Sequence, residues 1–466
     1  MNSGSALLGE NIFSLMKKYD KPGPRYTSYP TAPMFNSDFG PENYREEIVR
    51  SNSKNNSTDL SLYFHIPFCD TLCYFCGCTT VVTKNRERVG EYIVYLKREI
   101  DMLASEVSNS RRIVQMHWGG GTPTYLTPSE VSDLTQHIRN RFNFADDAEV
   151  SVEMDPRDLS FEHIQALRAN GFNRVSMGVQ DFNPDVLSAI NRNQGEELTR
   201  KVIGWTRAVG INNLNLDLVY GLPLQTVESF EQTLDKIIEV SPERIAVYNF
   251  AYVPWMKPHQ KLINPDELPS PEIKLKLLTM TIEKFTHAGY VYIGMDHFAK
   301  ENDELTIAQK SKTLQRNFQG YSTKAGYDLF GLGMSSISHF TTNYAQNSKT
   351  LGEYYQAIDH NRYATEVGYR MSHDDQLRKY VILRLMCDLT LNFQDVENKF
   401  SIKFEECFHE SLQKLEPFIE DNLLERTAGE LLVTMQGRLF LRNIAMCFDA
   451  YLNKVSKDKP VFSRTV

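Results

Sequence analysis

Tyr63-Phe-His-Ile-Pro-Phe-Cys69-Asp-Thr-Leu-Cys73-Tyr-Phe-Cys76-Gly-Cys78 sets the reading of this chain. Its first half alternates, with Leu62, Phe64 and Ile66 on one side of a strand. Its second half crowds four of the seven cysteines into ten residues. Cys69, Cys73 and Cys76 have C-x3-C-x2-C spacing. Three thiolates on one short loop suit a [4Fe–4S] cluster with one iron left open; four-cysteine clusters use other spacings. An open iron can take the amino and carboxylate groups of S-adenosylmethionine, and one electron would then yield an adenosyl radical. Structural zinc is the first alternative, but zinc sites pair distant ligand sets, and no second C-x2-C or H-x3-H follows. Inert cysteines packed as small hydrophobes are the second.

Beyond this stretch, strand and helix patterns take turns. Strands are expected over Ile113–Trp118, Glu149–Glu153, Arg174–Gln180, Leu214–Val219 and Arg244–Phe250, with a further one over Val291–Met295. Between them, Thr127-Pro-Ser-Glu130 reads as a capping box with proline at the first helical position. Ser160 opens a helix carrying Phe161, Ile164 and Leu167, which Gly171 stops. Strands separated by helices predict a parallel α/β series. Six such units predict a partial (β/α)6 TIM-like barrel.

The alternation also predicts what the barrel holds. Val150, Val152 and Met154 oppose Glu149, Ser151, Glu153 and Asp155. Val175, Met177 and Val179 oppose Ser176, Gly178 and Gln180. Leu214, Leu216 and Leu218 oppose Asn213, Asn215 and Asp217. Helices cover a barrel's outside, so the polar sets face inward. A packed barrel fills its centre with branched apolar residues; this one is expected to enclose a cavity for polar ligands. An antiparallel sheet with one wet face is the alternative. Gly119-Gly-Gly121 ends the second strand, where glycine permits close backbone approach to a ligand. Glu153, Gln180, Arg192 and Asp217 lie at or after strand ends, as acceptors for hydroxyls, mixed amide contacts or a carboxylate clamp.

The chain has 466 residues, 41% hydrophobic and 24% charged, with a net charge of −8. That describes an ordinary globular protein without a general affinity for nucleic acid or anionic membranes. No apolar run approaches the ~20 residues of a membrane span. The first ten residues lack the basic and apolar regions of a signal peptide. Odd, clustered cysteines argue against a secreted disulfide framework and for a reducing, cytoplasmic compartment. A monomer is expected.

Further motifs carry a resemblance. They are Gly23-Pro-Arg-Tyr-Thr-Ser-Tyr-Pro30, Trp118-Gly-Gly-Gly-Thr-Pro-Thr124, Glu153-Met-Asp-Pro156 and Ser176-Met-Gly-Val-Gln-Asp181. Asp217-Leu-Val-Tyr-Gly-Leu-Pro223, Gly294-Met-Asp-His-Phe298, Arg316-Asn-Phe-Gln-Gly-Tyr321 and Phe462-Ser-Arg464 complete the set. With the cysteine loop, they resemble the radical S-adenosylmethionine enzymes, and among them the oxygen-independent coproporphyrinogen III oxidases (dehydrogenases), over nearly the whole chain. The resemblance implies oxidative decarboxylation of two propionates of coproporphyrinogen III to vinyl groups, giving protoporphyrinogen IX. It implies a [4Fe–4S] cluster on Cys69, Cys73 and Cys76, with Cys78 not a ligand, and two S-adenosylmethionine molecules. Tyr63, Gly120, Glu153 and Ile337 would lie near the first. Phe75, Gly121, Thr122, Gln180, Arg192, Asp217 and Ala251 would lie near the second. Partners would be coproporphyrinogen III and an unidentified electron donor and acceptor. A related haem-binding chaperone that does not decarboxylate is the alternative function.

Three regions follow. Residues 1–57 read as an aromatic, extended arm with a polar linker over 51–57, expected to close the barrel mouth. In it, Arg25 is a candidate propionate ligand, and Tyr26 and Tyr29 are candidates to lie against a macrocycle. Residues 58–371 are expected to form the catalytic domain. Residues 372–466 read as mainly helical, over 374–389, 404–424 and 443–453. A strand and turn over 431–438 adds a winged-helix alternative to simple packing.

Overall fold

Six alternating segments commit to one parallel sheet in the computed structural model, which describes residues 12–52, 59–324, 326–452 and 461–465. They are β1 (Leu60–Ile66), β2 (Arg112–Gly120), β3 (Asn143–Met154), β4 (Arg174–Gln180), β5 (Asn213–Tyr220) and β6 (Arg244–Asn249), each beside the next. Helices Arg86–Glu106, Pro128–Arg139, Phe161–Ala169, Glu196–Ala208 and Val227–Val240 link them. The Thr127–Glu130 capping box forms as expected. Val152, Val175, Met177, Leu214, Leu216 and Leu218 are buried on the outer face. Each such side chain contributes about 1.5–3 kcal/mol when fully removed from water, which holds the helices on the sheet.

The sheet then runs on past both ends of the expected series. β7 (Tyr290–Gly294) and β8 (His297–Lys300) form an antiparallel pair, with β8 against β6 and β7 outermost. The strand expected near Val291 therefore exists, but at the sheet's edge. On the other side β9 (Asp328–Leu332) pairs parallel with β1. β10 (Ile337–His339), β11 (Asn343–Asn347) and β12 (Thr365–Arg370) follow antiparallel, giving twelve strands. β9 and β11 are buried along their whole length, so neither shows an alternating pattern.

The inner face is polar, as the alternation requires, and at the start of the strands its groups pair with one another. Ser61 Oγ donates to Gln115 Oε1 at 2.9 Å, and Gln115 Nε2 donates to Glu149 Oε1 at 2.9 Å. Arg174 Nε meets Glu149 Oε2 at 2.9 Å, while Arg244 Nε meets Asp303 at 2.9 Å. This network closes one end of the barrel.

The arm differs from its expectation. It contains helices Ile12–Tyr19 and Pro41–Asn52, so it is extended only between them; the linker reading falls largely on residues outside those described. Tyr26 and Tyr29 are buried. Tyr26 Oη donates to Asp449 at 3.0 Å, and Tyr29 Oη accepts from Ala450 N at 3.0 Å. Both rings are spent on packing and face no macrocycle. Arg25 is taken by Asp296, so it is not a free cation.

The C-terminal region contains helices His373–Asp388, Phe393–Phe400 and His409–Glu420. A three-stranded antiparallel sheet of Thr390–Asn392, Glu430–Val433 and Leu424–Arg426 accompanies them. Its core is continuous with that of the barrel. Arg438 reaches Tyr292 O at 3.0 Å and Arg384 reaches Leu314 O at 2.8 Å. The last residues pair with the arm: Gly23 N donates to Ser463 O at 3.0 Å and Thr465 N to Lys21 O at 2.9 Å. Arg442 clamps both strands, donating to Pro24 O at 3.1 Å and Arg464 O at 2.9 Å.

Candidate active site

The loop after β1 carries the cysteines to the carboxyl ends of the strands, over a cavity of about 610 Å³. Cys69, Cys73 and Cys76 line it, together with Phe75, Gly120, Gly121, Thr122, Glu153, Gln180, Arg192, Asp217 and Ala251. Residues far apart in the chain thus converge because each ends or follows a neighbouring strand. Tyr63 and Ile337 do not line this cavity. They lie beside each other deeper on the inner face: Tyr63 pairs with Gly331, and a Cβ on Gly331 would stand 2.7 Å from Ile337 O. Tyr63 Oη is 3.1 Å from His65 Nδ1, and His65 Nε2 is 3.0 Å from Thr79 O. The tyrosine therefore touches the end of the cysteine loop through His65.

The triple glycine serves close approach. Gly121 N donates to Ile66 O at 2.9 Å and Thr122 N to Phe68 O at 2.8 Å. A Cβ on Gly121 would fall 2.4 Å from Pro67 O, so β2's end can lie flat on the cysteine loop. Thr122 Oγ1 then sits 3.4 Å from Cys69 Sγ. Gln180 has φ 67°, a left-handed conformation costing on the order of 1–3 kcal/mol in a non-glycine residue. Its amide lies 2.5 Å from where a Cβ on Gly178 would be, which explains glycine at that position.

Charge is arranged around the thiols. Arg157 and Arg192 reach Cys73 Sγ at 3.4 and 3.6 Å, and both pair with Asp155, at 2.7 and 3.0 Å. Burial opposes the Asp155 charge, but the two guanidinium groups win and hold its carboxyl below the usual range. Donors from Cys78 hold the Cys76 thiol down at about 6, whereas burial pushes Cys69 up to about 12. Glu153 accepts from Gly120 N at 3.1 Å. Its burial is outweighed by His117 and this amide, so its carboxyl sits below the usual range. Among the described residues Asp217 accepts only from neutral donors, Ser176 Oγ at 3.0 Å and Asn215 Nδ2 at 2.8 Å. Burial, with Glu153 nearby, pushes its carboxyl up to about 6.

Segment 252–262, opaque in the sequence, braces the loop from the far side. Lys257 Nζ donates to Cys78 O at 3.2 Å, His259 Nε2 meets Cys76 O at 2.8 Å, and Gln260 Nε2 meets Phe75 O at 3.3 Å. Proline-capped turns with scattered polar residues carry no motif, so these three had no signal to find. Val461 and Ser463 of the C-terminal tail complete the rim.

The donor set fits an iron–sulfur cluster. All four loop cysteines are free thiols that line one cavity, and two guanidinium groups lie against Cys73 Sγ. Among the described residues, no three cysteine, histidine, aspartate or glutamate side chains gather as ligands of a single metal ion. A cluster asks for something else, because each thiolate binds its own iron.

Comparison with known proteins bears on this geometry. Residues 63–237 match the Radical SAM superfamily and residues 371–440 the HemN C-terminal domain. The oxygen-independent coproporphyrinogen III oxidase of Synechocystis is 45% identical over 456 residues, 97% of each chain. That of Escherichia coli K12 is 43% identical over 453 residues, 97% of this chain and 98% of the other. A solved structure of the E. coli coproporphyrinogen III oxidase, described as a radical SAM enzyme, superposes with a TM-score of 0.90 over 94% of this chain and 99% of that one. With its cysteine loop, its polar barrel and near full-length identity to these enzymes, the chain belongs to the oxygen-independent coproporphyrinogen III oxidase family of the radical SAM superfamily.

Proposed function

We propose that this chain converts coproporphyrinogen III to protoporphyrinogen IX without oxygen. Each of two propionates becomes a vinyl group by losing CO2, a proton and two electrons. An electron donor and an acceptor are therefore required partners. The observation that carries the reading is the convergence of the four free loop thiols and the polar strand-end residues on one cavity, in a chain so closely related to these oxidases. The haem-chaperone alternative finds no support among those relatives.

Cys69, Cys73 and Cys76 would hold the [4Fe–4S] cluster, leaving Cys78 to steady Cys76 through its backbone N–H at 3.4 Å. When bound, the cluster and S-adenosylmethionine supply carbon-radical chemistry, which the protein directs by position. Gly120 and Glu153, with Tyr63 and Ile337 beneath them, are assigned to a first S-adenosylmethionine. Glu153 offers a charged acceptor and Gly120 a bare backbone. Phe75, Gly121, Thr122, Gln180, Arg192, Asp217 and Ala251 are assigned to a second. There Asp217 and Gln180 suit ribose and adenine edges, and Arg192 suits a carboxylate. The paired charges below and the clamped arm and tail above limit water in the cavity. Four close free thiols suit the reducing cytoplasm, where we place the chain as a monomer; no described helix is long and apolar enough to cross a membrane.

Anaerobic incubation with reductant, S-adenosylmethionine and coproporphyrinogen III tests the function. Protoporphyrinogen IX and two CO2 per turnover are expected. Tight haem binding with no decarboxylation would replace this reading with the chaperone.

A further inference from the structure

The sheet's extension meets, on its inner face, a cation with no anion among the described residues. In the register, Tyr63 faces Gly331, and Leu329, two residues before it, pairs with His339. His339 pairs in turn with Tyr344. Cross-strand partners share a face, so His339 and Tyr344 stand on the inner face that carries Tyr63. Their rings stack at 4.7 Å and 21°. Tyr344 also stacks on Phe35 at 5.3 Å, and Phe318 meets its edge at 6.0 Å. The result is an aromatic shelf.

Lys379 reaches this shelf from helix His373–Asp388 of the C-terminal region. Its Nζ lies 2.6 Å from His339 Nε2 and 4.9 Å from the Tyr344 ring centre. Both Lys379 and His339 remain partly exposed. Several enclosed cations have their anions, as in Arg111–Asp328, Arg174–Glu149 and Arg192–Asp155, and others, Arg442, Arg438 and Arg316, meet backbone carbonyls. Lys379 has none among the described residues: burial alone pulls its ammonium down to about 7, with no carboxylate to lift it. Burial and the Lys379 charge keep His339 neutral, so it accepts one of three ammonium hydrogens. A weak contact to Met371 Sδ at 3.9 Å is the other polar neighbour. Desolvating an ammonium beside neutral groups costs stability, and an incoming anion would recover it.

We propose that Lys379, braced by His339 above the Tyr344 shelf, binds a carboxylate of the tetrapyrrole substrate, and specifically one of the two propionates that survive the reaction. The inference rests on the function proposed above. Position decides which carboxylate. Leu329 is level with Ser61 on β1, and from Ser61 to Ile66, where the cysteine loop begins, a strand rises roughly 17 Å. A carboxylate held here is far from the cluster loop while the opposite edge of the macrocycle faces it. The assignment also gives the C-terminal region a part in substrate recognition.

Fluorescence titration with coproporphyrin III, a tetracarboxylate that does not turn over, tests this on the full-length, cluster-loaded chain. Lys379→Met is expected to weaken binding about tenfold or more, the scale of a lost charged hydrogen bond. Lys379→Arg should stay within about threefold of the parent, because it keeps the charge. KM for coproporphyrinogen III should rise in parallel, with turnover at saturation nearly unchanged. Unaltered binding by Lys379→Met, or equal loss in Lys379→Arg, overturns the proposal. A measurement on the unmodified chain guards against misfolded variants: coproporphyrin III should protect Lys379 from acetylation, read by mass spectrometry, and equal labelling with and without it overturns the proposal. Absence of protoporphyrinogen IX from the parent chain would instead refute the function on which the proposal rests.

Discussion

At the closed end of the barrel, Glu149 is gripped by Gln115 and Arg174; at the cysteine end, Asp217 has only Ser176 and Asn215. Both carboxylates face inward, from β3 and β5 with β4 between them, and burial opposes ionisation of both. Arg174 and Arg244 outweigh it at Glu149, whose carboxyl lies below the usual range. Nothing outweighs it at Asp217, whose carboxyl rises to about 6. The same alternation of polar residues thus builds a plug at one end and a receptive surface at the other. Paired charges hold the fold, and an unpaired one costs stability.

The largest effect is expected where the pairing is complete. Glu149→Ala would leave Arg174 enclosed beside a lost anion and should cost about 3–5 kcal/mol, read as a lower denaturant midpoint. A loss under about 1 kcal/mol would mean that the closed end is no plug.

Asp217→Asn should have the opposite sign. A carboxyl with a raised folded pKa imposes no penalty below its ordinary value. The penalty grows as pH rises and is complete above about 6. The ligand-free variant should therefore be more stable than the parent at pH 7.5, by on the order of 1 kcal/mol after solvent screening, with the gain fading towards pH 4. Decarboxylation at limiting S-adenosylmethionine should fall about tenfold, the scale of a lost charged hydrogen bond. Destabilisation at pH 7.5 would place Asp217 with Glu149 as a structural charge.

The braces of the cysteine loop should matter least. His259→Ala removes a contact to Cys76 O at 2.8 Å and should cost about 1 kcal/mol. Lys257→Ala removes an exposed one and should change stability by under about 0.5 kcal/mol. Thermal unfolding of the two variants ranks them, and a larger loss for Lys257→Ala would reverse the assignment.

The same contrast explains what the sequence discloses. β1 to β6 have one face against helices and one towards the cavity, so period-two alternation marks them. The cysteine loop is legible because its four thiols are local in sequence. β9 and β11 are buried throughout and only five residues long, so no alternation betrays them. Tyr26 and Tyr29 look like ligand contacts in an aromatic arm, but their partners Asp449 and Ala450 come from the far end of the chain. Arg25 looks free for the same reason, since Asp296 is distant in sequence. The left-handed Gln180 and the meeting of Lys379 with His339 are likewise products of tertiary packing.

Iron and sulfide counts on single cysteine variants, prepared without oxygen, test most directly the assignment of three thiols to a cluster. Cys69→Ser, Cys73→Ser and Cys76→Ser should each lose most of about four irons per chain, while Cys78→Ser should keep them and its visible spectrum. Equal loss in Cys78→Ser and Cys69→Ser, or zinc in place of iron and sulfide in the parent chain, would contradict it.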